Sequence, residues 1–133
     1  TDYITDDDGN VTEIHCTYDP ETKSGSGFTG RKVKGTIQWV CAETAERAEV
    51  RLYENIVDEE KGVYNEDGTI NVNPNSLTIL ENCYVEPALA EAKPMDSFQF
   101  VRQGYFCVDS KDSTEDHLVF NRIVSLKSSY RPK

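Results

Sequence analysis

Little in this chain is of the kind that does chemistry. It has two histidines, His15 and His117, a single methionine and a single tryptophan. It lacks a G-x-S-x-G elbow, a P-loop and an H-E-x-x-H helix, which excludes the enzyme classes built on those motifs. The many carboxylates form no pair whose separation the spacing defines, and neither histidine has a visible partner for general-base work. Apolar runs fall well short of the ~20 residues that span a bilayer as a helix, and no secretory signal opens the chain. The first residue is Thr1 and the only methionine is Met95, so a piece of a longer polypeptide is expected. The reading is a binding module of one domain, with no catalytic residue, metal or cofactor of its own.

Basic charge is also scarce. Lys and Arg number 14 against 24 Asp and Glu, a formal net charge of −10. That argues against nonspecific nucleic-acid binding, which needs cations for phosphate. An acidic body can still carry one basic face, and its remainder then repels RNA docked elsewhere. The only basic cluster is Gly30-Arg31-Lys32-Val33-Lys34-Gly35. On a strand, Lys32 and Lys34 share a face. They serve either as phosphate contacts or as edge lysines that block aggregation.

The four cysteines, at 16, 41, 83 and 107, show no zinc spacing. Cys16, Cys41 and Cys107 sit in apolar strand patterns, where a reduced thiol packs as a small hydrophobe. Buried free thiols are expected, with a disulfide or metal as the alternative.

What the chain does have is period-two alternation. The stretch from Ser97 to Asp109 predicts a hairpin. Phe98 and Phe100 face a core, Arg102-Gln103-Gly104 breaks the pattern with Gly104 as the left-handed loop residue, and Tyr105 to Val108 return. Gln99 and Arg102 fall outside that core, because neither is buried cheaply without a partner. An amide and a guanidinium a few residues apart suit the edge of a nucleic-acid base. On residue types alone, an ordinary hairpin surface is the favoured reading.

The remaining chain is mostly strand. A hairpin is expected over residues 2 to 18, around the turn Asp6-Asp7-Asp8-Gly9-Asn10, which lacks the ligand spacing of a calcium loop. Further strands are expected at Thr36–Cys41, with Ile37, Trp39 and Cys41 buried, and at Val50–Val57. Ala42–Glu49 fits a short helix or a loop. A long loop from Asp58 to Asn75 has room for a minor hairpin through Val63-Tyr64 and Thr69 to Val72. Leu77–Val85 is extended with a kink at Glu81, and the prolines at 87 and 94 leave space for one helical turn. Leu118–Leu126 is the last strand. Its Arg122 falls on the apolar phase, so it is at a rim, paired with a carboxylate, or displaced by a bulge. Six or seven antiparallel strands with almost no helix favour a small barrel, with a sandwich as the alternative.

Several segments in order resemble one family. Gly30-Arg31-Lys32-Val33-Lys34-Gly35-Thr36-Ile37-Gln38-Trp39-Val40 is similar to the G-R-K-V-K-G-x-I-x-W-V stretch of bacterial glutaminyl-tRNA synthetases. So are Glu49 to Tyr53, Asn73 to Leu77, Phe98-Gln99-Phe100 to Cys107, Val119 to Arg122, and upstream Asp8 to Thr12 and Cys16 to Asp19. The resemblance implies an all-β anticodon-binding region with an antiparallel six-stranded barrel of the ribosomal-protein-like type, and a partial second barrel or hairpin at the N-terminus. Residues 1–133 would form that tRNA-binding domain, with 1–30 bordering the second barrel. It further implies a cytoplasmic, monomeric enzyme that joins glutamine to tRNA-Gln. ATP and Mg would be used in a catalytic domain whose HIGH and KMSKS signatures are absent here. The alternatives are a stand-alone ribosomal-type RNA-binding barrel, a protein-interaction module, or the same domain of a glutamyl-tRNA synthetase. Matched to the family, Gln99 and Arg102 contact the middle anticodon base, and Ser129 stands near the anticodon stem. Val101 and Gln103 replace acidic residues common at those positions, which alters how Arg102 is braced.

Overall fold

The computed structural model describes residues 1–23, 25–32, 37–58 and 60–126. The chain divides into two compact units, Thr1–Ile37 and Gln38–Lys133.

The first unit is a hairpin of β1 (Asp2–Thr5) and β2 (Val11–His15). Its turn is built by one carboxylate. Asp6 Oδ1 accepts the Asp8 and Asn10 amides at 3.0 and 2.8 Å, and Asn10 Nδ2 donates to Oδ2 at 3.1 Å. Gly9 closes the turn at φ +84°. Every hairpin residue is exposed, Tyr3 and Ile14 at 63% and 69%. Alternation here makes a strand pair, but none of the described residues of the unit covers either face. A 3₁₀ turn follows at Pro20–Thr22, capped by the Asp19 side chain.

The second unit is a five-stranded sheet of β3 (Glu46–Tyr53), β4 (Leu77–Val85), β5 (Ser97–Phe100), β6 (Gly104–Val108) and β7 (Leu118–Ser125). Its order is β4-β3-β7-β6-β5. All neighbours are antiparallel except β3 and β7, which run parallel from Ala48 opposite Leu118 to Arg51 opposite Asn121. The parallel pair was not expected. It arises because the chain leaves β3 through β4 and the β5–β6 hairpin and returns on the other side, the long crossover that a parallel pair requires.

The inward phase of each strand makes one core. Ala48, Val50, Val85, Phe106, Val108, Leu118 and Phe120 are buried, with Leu52, Cys83, Phe98 and Phe100 packed against them. Phe100 stacks on Phe106 at 4.4 Å and meets Phe120 edge-on at 5.2 Å, while Phe98 reaches Phe120 at 6.3 Å. Aromatic pairs in these geometries add to the free energy of their burial. Leu89 and Ala92 pack on the core from a 3₁₀ turn at Pro87–Glu91, the single turn that the flanking prolines allow.

The fold is all-β, but the sheet is open, with β4 and β5 as its edges. The expected six-stranded barrel is not closed among the described residues. Of the strand expected at Thr36–Cys41, the described residues 37–41 carry none, and Ile37 and Trp39 are 76% and 64% exposed. Cys16 and Cys41 are exposed, not buried, and Cys83 and Cys107 are half-buried; all four are free. Residues 42–44 are a turn, and β3 begins earlier than expected, at Glu46. Other expectations hold. Tyr64 bridges Ile70 in the long loop. The β3–β4 register slips between the Ala48–Cys83 and Val50–Leu80 pairs, which puts the irregularity at Glu81 and Asn82.

Candidate nucleic-acid interface

Gln99 and Arg102 lie on the β5–β6 hairpin, both exposed. Ser97 opposes Cys107, Phe98 opposes Phe106, Gln99 opposes Tyr105 and Phe100 opposes Gly104. With Phe98 and Phe100 drawn to the core, period two sends Gln99 to the opposite face. Arg102 stands in the connecting turn, where the Gln103 amide donates to the Phe100 carbonyl at 2.8 Å.

The turn differs from the expectation in one respect. Arg102 itself takes a left-handed backbone, φ +68°. An L-residue pays about 1–2 kcal/mol for that conformation. Gly104 is also required, but for a different reason. Its φ is +153°, and a Cβ there would lie 2.6 Å from the Val124 carbonyl oxygen. The Phe100–Phe106 stack on one side and this close approach on the other hold both strand ends of the turn.

The sequence reading makes Tyr105 part of the return strand without assigning it a face. The structure puts it on the Gln99 face, 45% exposed. The outward signal was present in its phase, one residue from buried Phe106, but a tyrosine in an apolar run gives no hint of which side is covered.

Farther along the same face is a closed polar network. Arg51 Nε pairs with Glu49 at 2.6 Å, and its Nη1 lies 2.6 Å from Asp112 and 3.8 Å from Asp109. Asp109 Oδ1 accepts the Lys111 and Asp112 amides at 2.8 and 2.7 Å, and Oδ2 accepts Asn121 Nδ2 at 2.6 Å. The Tyr53 hydroxyl donates to Asn121 Oδ1 at 3.0 Å. The Asp112 amide and Asn121 side chain hold the Asp109 carboxyl down to about 2, with Arg51 adding a smaller pull. Asp112 and then Glu49 raise the Arg51 guanidinium above its ordinary value. With three carboxylates around it, Arg51 pins the β6–β7 loop to the sheet and is not offered to phosphate. Asp109 and Asp112 come from a distant segment, so spacing along the chain does not reveal the network.

Arg122 is paired as expected. Its guanidinium donates to the Glu54 carboxylate and, at 3.1 Å, to the Tyr53 carbonyl. A bulge also sits beside it, between the Tyr105–Val124 and Phe106–Arg122 pairs. Of the residues considered for the RNA backbone, Lys32 is exposed and belongs to the first unit. Its neighbour Arg31 is engaged by Asp19 at 2.7 Å. Lys34 and Ser129 lie outside the described residues. Among the described residues, no three His, Cys, Asp or Glu side chains gather as a metal site, and no helix is long and apolar enough to cross a membrane.

Residues 36–109, which hold Gln99, Arg102 and Tyr105, match the family model for the anti-codon binding domain of class I (E and Q) tRNA synthetases. The chain belongs to this family. As an anticodon-binding domain it has close curated relatives. The glutamine–tRNA ligase of Clostridium perfringens is 55% identical over 134 residues, covering 98% of this chain and 24% of that protein. The enzyme of the same name from Clostridioides difficile is 55% identical over 137 residues, 99% of this chain and 24% of that protein. That of Vibrio vulnificus is 47% identical over 125 residues, 94% and 22%. The chain thus spans about a quarter of the length of the curated relatives it matches.

Proposed function

We propose that this chain is the anticodon-reading portion of a glutamine–tRNA ligase and that its partner is tRNA-Gln. The observation that carries the reading is the exposure of Gln99 and Arg102 together on one rigid hairpin. An unpaired base is read on its splayed-out edge. An amide both donates and accepts there, and a guanidinium donates in a fixed fork. In this reading the hairpin contacts the middle anticodon base. Lys32, Lys34 and Ser129 meet the RNA backbone, and the chain contributes no catalytic residue.

The joining of glutamine to tRNA, with its ATP and Mg, belongs to the rest of a monomeric, cytoplasmic enzyme that includes its own catalytic domain. Residues 1–133 act as one tRNA-binding portion, with 1–30 bordering a second barrel. The open sheet is the larger part of a six-stranded barrel of the ribosomal-protein-like type, which the unpaired edges β4 and β5 favour.

The test is steady-state aminoacylation by the full-length enzyme. Gln99→Ala and Arg102→Ala should each lower discrimination between tRNA-Gln and a tRNA altered at the middle anticodon base by about 1–3 kcal/mol. Unchanged discrimination by Arg102→Ala overturns the assignment.

A further inference from the structure

Gln99 and Tyr105 are directly opposed on antiparallel strands, so their side chains leave the same face with Cβ atoms about 4.5–5.5 Å apart. Tyr105 is opposed in turn to Val124 on β7. Tyr105 is 45% exposed and Val124 48%, although β6 is an interior strand of the sheet. The residues facing inward from β6, Phe106 and Val108, are covered. The outward face therefore changes character along its length. Around Asn121 it is a closed hydrogen-bond network, whereas at the hairpin it is an exposed aromatic ring beside an exposed amide.

Engaged at the edge of a base, an amide and a guanidinium do not cover its face, so they do not replace the stacking that the base loses when it leaves its neighbours. A ring next to the amide supplies that missing surface, and it does so for any base. We infer that Tyr105 is the platform on which the nucleobase read by Gln99 and Arg102 stacks. The inference rests on the anticodon-reading role proposed above. The division of labour is then explicit: Tyr105 holds the base by its face with little preference, and Gln99 and Arg102 select it by its edge.

The experiment uses the full-length synthetase and tRNA-Gln carrying a fluorescent pyrimidine analogue at the middle anticodon position. Binding to the wild-type enzyme should quench the analogue. Tyr105→Phe should keep both the quenching and kcat/KM. Tyr105→Leu should release the quenching and lower kcat/KM roughly five- to a hundredfold, while leaving the preference for the correct base over a wrong one nearly intact. Tyr105→Trp should deepen the quenching, and it keeps the test decisive if the leucine variant does not fold. Wild-type quenching and kcat/KM in folded Tyr105→Leu, loss of quenching in Tyr105→Phe, or no change with Trp would each overturn the stack. If Tyr105→Leu is silent but Gln99→Ala still erodes base discrimination, only the stack falls. If both are silent, the anticodon reading falls with it.

Discussion

The Val124 carbonyl oxygen lies where a side chain on Gly104 would have to go, 2.6 Å from the position of its Cβ. β6 and β7 come this close at the hairpin end because residue 104 has no side chain. Substitution of Gly104 by alanine adds both an overpacked contact and backbone strain at φ +153°. The expected loss is about 2–4 kcal/mol, read as a lower urea midpoint with an unchanged slope. A variant as stable as wild type would mean that the sheet end is free to open.

Arg102 is the reverse case. Its left-handed φ of +68° is a conformation that glycine adopts without penalty. Arg102→Gly should relieve that strain but add unfolded-chain entropy, for a net gain of roughly 0.5–1 kcal/mol. The same change should weaken discrimination at the middle anticodon base. Melting and aminoacylation measured on one preparation would show stability and recognition moving in opposite directions. A less stable Arg102→Gly would indicate that contacts of the arginine side chain outweigh the strain.

Asp109 makes stability pH-dependent in acid. Its folded carboxyl sits at about 2, against 3.8 for an ordinary aspartate. A depressed folded value means that the contribution is complete above pH ~4 and is lost as pH falls from there through about 2. The size is about 2 kcal/mol at neutral pH. Asp109→Asn should be less stable at pH 7 and should show a flatter urea midpoint between pH ~4 and ~2 than wild type. Parallel pH profiles for the two proteins would place the titration elsewhere.

Much of this was legible in the sequence because it is local. The alternation of Phe98, Gln99 and Phe100 puts the amide outside wherever the phenylalanines are buried. Pro87 and Pro94 leave only one helical turn between them. Arg122, in phase with apolar neighbours, required a rim position, a carboxylate or a bulge, and it has Glu54 with a bulge beside it. What could not be read depends on partners. Ile37, Trp39 and Cys41 alternate like a half-buried strand, but period two says nothing of whether another strand lies alongside. The Arg51 network joins residues from three distant segments. Tyr105 was given no face, because phase distinguishes two faces without saying which is covered.

The pairing of β3 with β7 has a consequence for assembly. The two central strands come from nearly opposite ends of the second unit, and they run parallel. Local hairpins such as β5–β6 can zip early. The central seam must wait until the intervening chain has been brought round, and loop closure makes that the slow event. Until it forms, Val50 and Phe120 have no shared interior, and the hairpin bearing Gln99 and Arg102 has no sheet to stiffen it.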